Sequence, residues 1–176
     1  MAPTATYAID AGGTILWTDQ GFAELARSHG RPELADTAAG RPLSSFVAGE
    51  RPRVLQDSLI ARARTSGEPL ELRYRCDGPD TRRHAMLRMD AQPDGGVLFT
   101  TWFESVEDRP HQPLLDTRLR RSDDAVRLCA WCNRVDVDGW REVEDATAHV
   151  ALGDLPRVEH SVCEICELLL TTRPAG

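Results

Sequence analysis

The 176-residue sequence contains no lysine, and its basic residues do not outnumber its acidic ones. All 21 basic residues are arginine, against 28 aspartate and glutamate residues, which gives a formal net charge of −7. Residues 1–106 carry a net charge of −2, and residues 107–176 carry a net charge of −5. Because phosphate backbones and anionic lipid surfaces attract basic proteins, neither part has the charge expected for binding nucleic acid or a membrane surface.

Long apolar runs and targeting signals are also missing. No run of about 18 apolar residues occurs, which excludes a membrane-spanning helix. The first residues, Met-Ala-Pro-Thr-Ala-Thr, have neither the basic nor the apolar region of a secretory signal. With 41% hydrophobic and 28% charged residues, the composition is that of a globular chain. We therefore expect a cytoplasmic protein.

The sequence has no recognisable catalytic motif. It contains no G-x-S-x-G, no G-x-x-x-x-G-K-[ST], no H-E-x-x-H and no protein-kinase set. The residues after 106 also contain no histidine-kinase, cyclase or helix-turn-helix region that could serve as a built-in output. We expect the protein not to be an enzyme.

Residues 6–106 alternate between strand-like and helix-like patterns. Residues 7–10 and 14–18 flank Ala-Gly-Gly and predict a β-hairpin. Helical spacing predicts one helix over residues 20–29 and a second that starts near Pro52 and ends at Gly67. Alternating apolar residues then predict three strands within 70–76, 84–91 and 97–103. This order predicts an α+β fold, with an antiparallel five-stranded sheet and helices on one face.

Several short motifs within residues 6–106 resemble those of the PAS sensor family. They are Ile9-Asp-x-x-Gly-x-Ile-x-Trp-x-Asp-x-x-Phe-Ala, Gly40-Arg-x-Leu-x-x-Phe-Val, Ser66-Gly-x-Pro and Arg75-Cys-Asp-Gly. The resemblance implies a signalling role, frequent homodimer formation and a ligand held between the sheet and the helices. It implies neither flavin nor haem, because residues 40–46 lack the cysteine of the flavin-binding light sensors and residues 50–66 lack a histidine for haem.

Eight apolar or aromatic residues of this segment are predicted to face inward. They either fill the core or line a ligand pocket, and the spacing of the residues does not distinguish the two. The eight residues are Trp17, Phe22, Leu25, Leu55, Leu59, Tyr74, Leu87 and Phe99.

Four of the five cysteines form two C-x-x-C pairs, Cys129 with Cys132 and Cys163 with Cys166, with 30 residues between the pairs. In a cytosolic chain this pattern indicates a metal site, and Zn²⁺ favours four thiolates in a tetrahedron. The second pair opens a predicted helix, whose N-terminal dipole favours thiolates. A segment this short and poor in apolar residues also usually needs a metal or disulfides to fold alone. Four sulfurs leave no open position, so we predict a structural zinc site.

Three alternatives to this site remain open. The four cysteines could be core or redox thiols without a metal, or they could hold an iron–sulfur cluster. His160 could replace one of the sulfur ligands. The fifth cysteine, Cys76, is in phase with Leu72 and Tyr74 and is predicted to be a buried, inert thiol, with a redox-sensing or ligand role as the alternative.

The two cysteine pairs, with a predicted hairpin around Gly139 and Trp140, resemble a treble-clef-type zinc module, and similar modules follow PAS domains in bacterial signalling proteins. We assign residues 1–106 to a PAS-like sensor domain, 107–126 to a linker or connecting helix, and 127–176 to the zinc module. The predicted function is that of a sensor or adaptor that acts through protein–protein contacts as a homodimer, with a small-molecule ligand left open. The alternatives are a redox-responsive zinc switch and a nucleic-acid-binding zinc finger, which the charge of −5 disfavours.

Overall fold

The computed structural model describes residues 4–150 and 155–172. Its strands are β1 (Thr4–Ile9), β2 (Ile15–Thr18), β3 (Leu70–Arg75), β4 (Thr81–Ala91), β5 (Val97–Asp108), β6 (Ala125–Cys129), β7 (Val135–Asp136), β8 (Trp140–Arg141) and β9 (Arg157–Ser161). Its helices are α1 (Gln20–Ser28), α2 (Leu34–Thr37), α3 (Glu50–Ser66), α4 (Val143–His149) and α5 (Glu164–Thr172). No helix in the described ranges has the length and apolarity needed to cross a bilayer.

The first five strands form one antiparallel sheet in the order β2-β1-β5-β4-β3. Helix α1 begins where the Asp19 carboxylate accepts a hydrogen bond from the Phe22 N–H at 2.7 Å. Helix α3 has Pro52 in its first turn and ends at Gly67, which has a positive φ of 73°. Both helices pack on the sheet. The predicted fold class, an α+β fold built on a five-stranded antiparallel sheet, is confirmed.

The last strands form a second, four-stranded sheet in the order β8-β7-β6-β9. The predicted hairpin is present as β7 and β8, whereas the parallel pairing of β6 with β9 and helix α4 were not predicted. The parallel register sets Cys129 opposite Ser161. Both C-x-x-C pairs therefore leave the sheet at the same end.

Residues 107–126, assigned to a linker or a connecting helix, contain no α-helix. Strand β5 runs on to Asp108, and only a 3-10 turn at Pro113–Leu115 separates it from β6. The Arg121 guanidinium donates hydrogen bonds to the carbonyl oxygens of Pro113, Leu114 and Asp116, at 2.7 to 3.2 Å. A side chain thus satisfies the carbonyl groups that a helix would have bonded to its own amides.

The predicted inward orientation of Trp17 is wrong. Ile15 pairs with Ile9 and is buried, as strand alternation predicts. The next pair along the ladder is Trp17 with Ala8, so Leu16 is an extra residue that forms a β-bulge. An extra residue reverses the phase of the side chains beyond it. Trp17 therefore lies on the opposite face of the sheet from Ile15, with 45% of its surface exposed.

The cysteine-bearing segment packs directly on α3. The Arg51 guanidinium pairs with the Glu167 carboxylate of α5 at 2.5 Å, and the Arg62 guanidinium donates to the Leu170 carbonyl at 2.6 Å. A single buried cluster joins the inner face of the first sheet to this segment. It includes Leu55, Leu59, Met89, Phe99, Cys129, Val162, Cys163, Cys166 and Leu170.

Candidate metal centre

The fold brings the two cysteine pairs together into one cluster. The sulfur atoms of Cys129, Cys132, Cys163 and Cys166 all lie within 4.8 Å of one another. The Cys132 and Cys163 sulfurs are 3.8 Å apart. An ion that binds four sulfurs tetrahedrally at about 2.3 Å requires sulfur separations of about 3.8 Å. The number, chemistry and spacing of these donors therefore fit a single metal ion.

The first pair lies on a tight loop, residues 129–134, which we call the knuckle. The Cys129 N–H donates to the Arg134 carbonyl at 2.8 Å, and the Asn133 N–H donates to the Cys129 carbonyl at 3.0 Å. Asn133 adopts a positive φ of 58°, a conformation that asparagine accepts more readily than most residues. The Ala130 N–H also donates to the Ser161 carbonyl at 2.9 Å, which fixes the knuckle against β9.

The second pair is set by the start of α5. The Cys163 carbonyl accepts the Glu167 N–H at 2.9 Å, which begins the helix. The Cys163 N–H donates to the Cys129 sulfur at 3.4 Å, and the Cys166 N–H donates to the Cys163 sulfur at 3.4 Å. Amide groups that donate to sulfur at the positive end of a helix stabilise thiolates, the form that binds metal.

Burial and charge both indicate that the cluster needs a cation. Cys129, Cys163 and Cys166 are buried, and Cys132 is half-buried. Hydrogen bonds from Cys132 and Cys166 lower the pKa of Cys129. The same bonds to Cys129 raise the pKa of Cys132 and of Cys166. Four sulfurs at this spacing cannot all be thiolates without a compensating positive charge.

Two residues considered as alternatives lie outside this cluster. Cys76 is absent from the group of converging ligand atoms, and its sulfur lies 3.3 Å from His29 Nε2. Burial raises the pKa of Cys76 to about 11, which makes it a poor nucleophile at neutral pH. His160 lies exposed on β9, and it does not join the four sulfurs.

A cavity of about 270 Å³ lies between the inner face of the sheet, α3 and the knuckle. Trp17 is not among its lining residues. The other seven predicted pocket residues line it: Phe22, Leu25, Leu55, Leu59, Tyr74, Leu87 and Phe99.

The knuckle itself supplies one wall of this cavity, which sequence reasoning missed. Trp131 and Ala130, between the first two cysteines, line the cavity together with Val162. The Trp131 Nε1–H donates to the Arg73 carbonyl at 2.7 Å, and the Arg75 N–H donates to the Trp131 carbonyl at 2.8 Å. The Trp131 and Tyr74 rings lie 5.8 Å apart between centroids. The only sequence signal for this contact was the tryptophan inside Cys-Ala-Trp-Cys.

Comparison with solved structures gives a similarity in fold. The chain is similar to the PAS domain of BvgS from Bordetella pertussis, with 19% sequence identity and a TM-score of 0.45. The match covers 58% of this chain and 78% of that one. No protein-family model matches the sequence. No curated protein matches it either.

Proposed function

We propose that the protein is a PAS-type sensor or adaptor, held together by a structural Zn²⁺ ion, that passes a signal through protein–protein contacts rather than by catalysis. The observation that carries this proposal is the convergence of four cysteine sulfurs within 4.8 Å, inside the same buried cluster as the inner face of the sheet. The resemblance of residues 6–106 to a sensor family supports the signalling role.

Zn²⁺ is the ion that the donor set favours. Four thiolates at this spacing leave space for one ion, and not for a cluster of several irons with its own sulfides. Zn²⁺ accepts four thiolates in a closed tetrahedron, whereas a catalytic zinc site keeps one position open for water or substrate. When bound, the ion would neutralise the thiolates and fix the knuckle to α5. The metal site is therefore proposed to be structural.

The metal content of the purified full chain tests this proposal. We expect elemental analysis and native mass spectrometry to find one zinc per chain. Cys129→Ser and Cys163→Ser should lose the ion, because each removes a buried ligand. Cys76→Ser is the matched control and should keep it, since Cys76 lies outside the cluster. A wild-type chain purified without chelator that contains no zinc contradicts the proposal.

Homodimer formation is the simplest protein contact of this type and needs a separate measurement. We expect light scattering coupled to gel filtration to give twice the chain mass of 19.5 kDa at micromolar concentration. A strict monomer at every concentration tested removes the homodimer from the proposal and leaves a different protein as the partner.

A redox-responsive zinc switch is the second candidate, and the half-buried position of Cys132 favours it. Its sulfur lies 3.8 Å from that of Cys163. Hydrogen peroxide could oxidise these two thiolates to a disulfide while it is reduced to two hydroxide ions, and the ion would lose two ligands. Zinc release at low peroxide concentration, followed with a fluorescent chelator, supports the switch. Release only under harsh oxidation supports a purely structural site.

A further inference from the structure

We propose that the 270 Å³ cavity binds a compact, neutral, largely apolar molecule with one hydroxyl or carbonyl group, and that this binding requires the metal-ordered knuckle. The inference rests on the proposed zinc site, because the ion is taken to fix the knuckle. It goes further in assigning the cavity a ligand class, and in making metal and ligand dependent on each other.

The walls of the cavity define the bulk of the ligand. Leu55, Leu59, Leu87, Met89 and Phe99 give it apolar sides, and its volume of about 270 Å³ is near the small end of ligand pockets. Among the described residues, no charged side chain lines it. A charged ligand would lose its hydration there without compensation, so the ligand is neutral.

Two lining residues define the polar group of the ligand. The side-chain amide of Gln56 and the hydroxyl of Tyr7 make no hydrogen bond to any other part of the chain that the structure describes. The Tyr74 hydroxyl already donates to Thr101 Oγ1 at 3.4 Å. Polar groups that line a cavity without a protein partner favour a ligand that supplies one. A single hydroxyl or carbonyl on an otherwise apolar molecule meets this requirement.

The remaining wall of the cavity comes from residues next to the cysteines. Ala130 and Trp131 lie between Cys129 and Cys132, and Val162 directly precedes Cys163. Each of these three wall residues is thus within two residues of a proposed zinc ligand. The position of this wall is set by the geometry of the metal centre.

Hydrogen bonds connect the knuckle to strand β3, on the sheet side of the cavity. The Arg73 carbonyl and the Arg75 N–H both bond to Trp131, and Tyr74, which lies between them, lines the cavity. We expect loss of the metal to free the knuckle and to remove this wall of the cavity. Because linkage is reciprocal, a ligand that needs this wall must strengthen zinc binding by the same factor by which zinc strengthens ligand binding.

The experiment uses 2-naphthol, a compact aromatic molecule with one hydroxyl group, as the probe. Isothermal titration of the zinc-loaded full chain should detect binding. Trp131→Ala should retain one zinc per chain and bind 2-naphthol at least about tenfold more weakly, within the usual range of coupling between sites. Trp17→Ala is the matched control, because Trp17 lies outside the cavity, and its affinity should equal that of the wild type.

A second measurement, of zinc affinity with and without 2-naphthol, tests the same linkage without depending on the folding of one variant. In competition with a chelator, saturating 2-naphthol should strengthen zinc binding by the wild type and not by Trp131→Ala. Trp131→Phe keeps a ring but loses the bond to Arg73, and should give an intermediate effect. Circular dichroism and zinc content confirm that each variant is folded.

The possible failures are distinguishable from one another. If the zinc-loaded wild type does not bind 2-naphthol, or if Trp131→Ala binds it as tightly, the ligand inference is overturned and the zinc site stands. If the wild type binds 2-naphthol but contains no zinc, both the proposed zinc site and the linkage are overturned.

Discussion

Asp77 is a fully buried carboxylate held between two buried arginines. Its side chain has no exposed surface and pairs with Arg75 and with Arg109, whose side chains are 10% and 6% exposed. Arg75 also pairs with Glu142, and Arg109 pairs with Glu144. Both glutamates lie at the start of α4, so this network of charges ties the end of β3 to the second sheet and its helix.

Replacement of this carboxylate should therefore destabilise the whole protein. Asp77→Asn leaves two buried guanidinium groups without their shared partner, and we expect a loss of about 3–5 kcal/mol in the free energy of unfolding. Urea denaturation of the purified protein measures it. Asp90→Asn is the control, because Asp90 pairs with an exposed Arg88 and should cost less than about 1 kcal/mol. Equal losses in the two variants would contradict a special role for Asp77.

Single-residue predictions succeeded where the evidence was local. The two cysteines of each C-x-x-C pair could be placed together from spacing, because such a pair is close in space in almost any backbone, and the chemistry of metal binding then grouped the two pairs. Trp17 was misplaced because the bulge at Leu16 depends on the pairing with β1, and the sequence of β2 does not show it. The contact of Trp131 with Arg73 spans 58 residues and left no local pattern.

Among the elements, helix α3 and strand β9 approach unusually closely. Gly49, which precedes α3, has a positive φ of 89°. A Cβ atom added there would lie 2.4 Å from the carbonyl oxygen of His160. Only glycine lets the start of α3 pass the strand that precedes Cys163. This contact helps to place the second cysteine pair relative to the first sheet.

The requirement for glycine at position 49 can be measured against an uncrowded glycine by a pair of variants. Alanine at a positive φ costs about 1–2 kcal/mol. Gly40→Ala should show this cost alone, because Gly40 has a φ of 81° and nothing within 4 Å of the added Cβ. Gly49→Ala adds the clash with β9, and the Gly49 φ of 89° and ψ of 149° form a conformation adopted almost only by glycine, so it should cost about 1–3 kcal/mol more. Equal unfolding free energies in the two variants mean that the approach is not tight.

The ends of the helices could be predicted from local chemistry better than the pairing of the strands could. Pro52 and Gly67 predicted the extent of α3, and the start of α5 was predicted from the second cysteine pair. The parallel pairing of β6 with β9 joins segments about 30 residues apart and has no signature in either strand. The helix considered as the alternative to a linker within residues 107–126 is absent, and the carbonyl groups of Pro113, Leu114 and Asp116 accept instead from Arg121 of the same segment.

At the scale of the whole molecule, the two predicted halves share one core. The cluster that contains Phe99 and Leu59 also contains Cys129, Cys163 and Leu170. A second cluster packs Leu114, from the segment before β6, against residues of the cysteine-bearing part. Since the sulfurs are packed against the sheet, the proposed ion stabilises more than its own module.

Removal of the proposed zinc should therefore lower the thermal stability of the entire chain. Zinc-finger peptides gain about 10–16 kcal/mol from their metal. Even a loss of about 5 kcal/mol lowers the melting temperature of a chain this size by about 10–20 °C. Calorimetry of the zinc-loaded and chelator-treated protein should show one transition that moves as a unit. Two transitions, of which only one responds to chelator, would show that the halves unfold independently.

The two hydrogen bonds between Trp131 and β3 have a consequence for solubility. Strand β3 lies at the edge of the first sheet, and the Arg73 carbonyl and the Arg75 N–H would be free to pair with another chain if the knuckle did not occupy them. Unpaired edges of this kind promote aggregation by strand addition. The loop between Cys129 and Cys132 thus shields the edge of β3, and a chain without its metal would expose this edge to other chains.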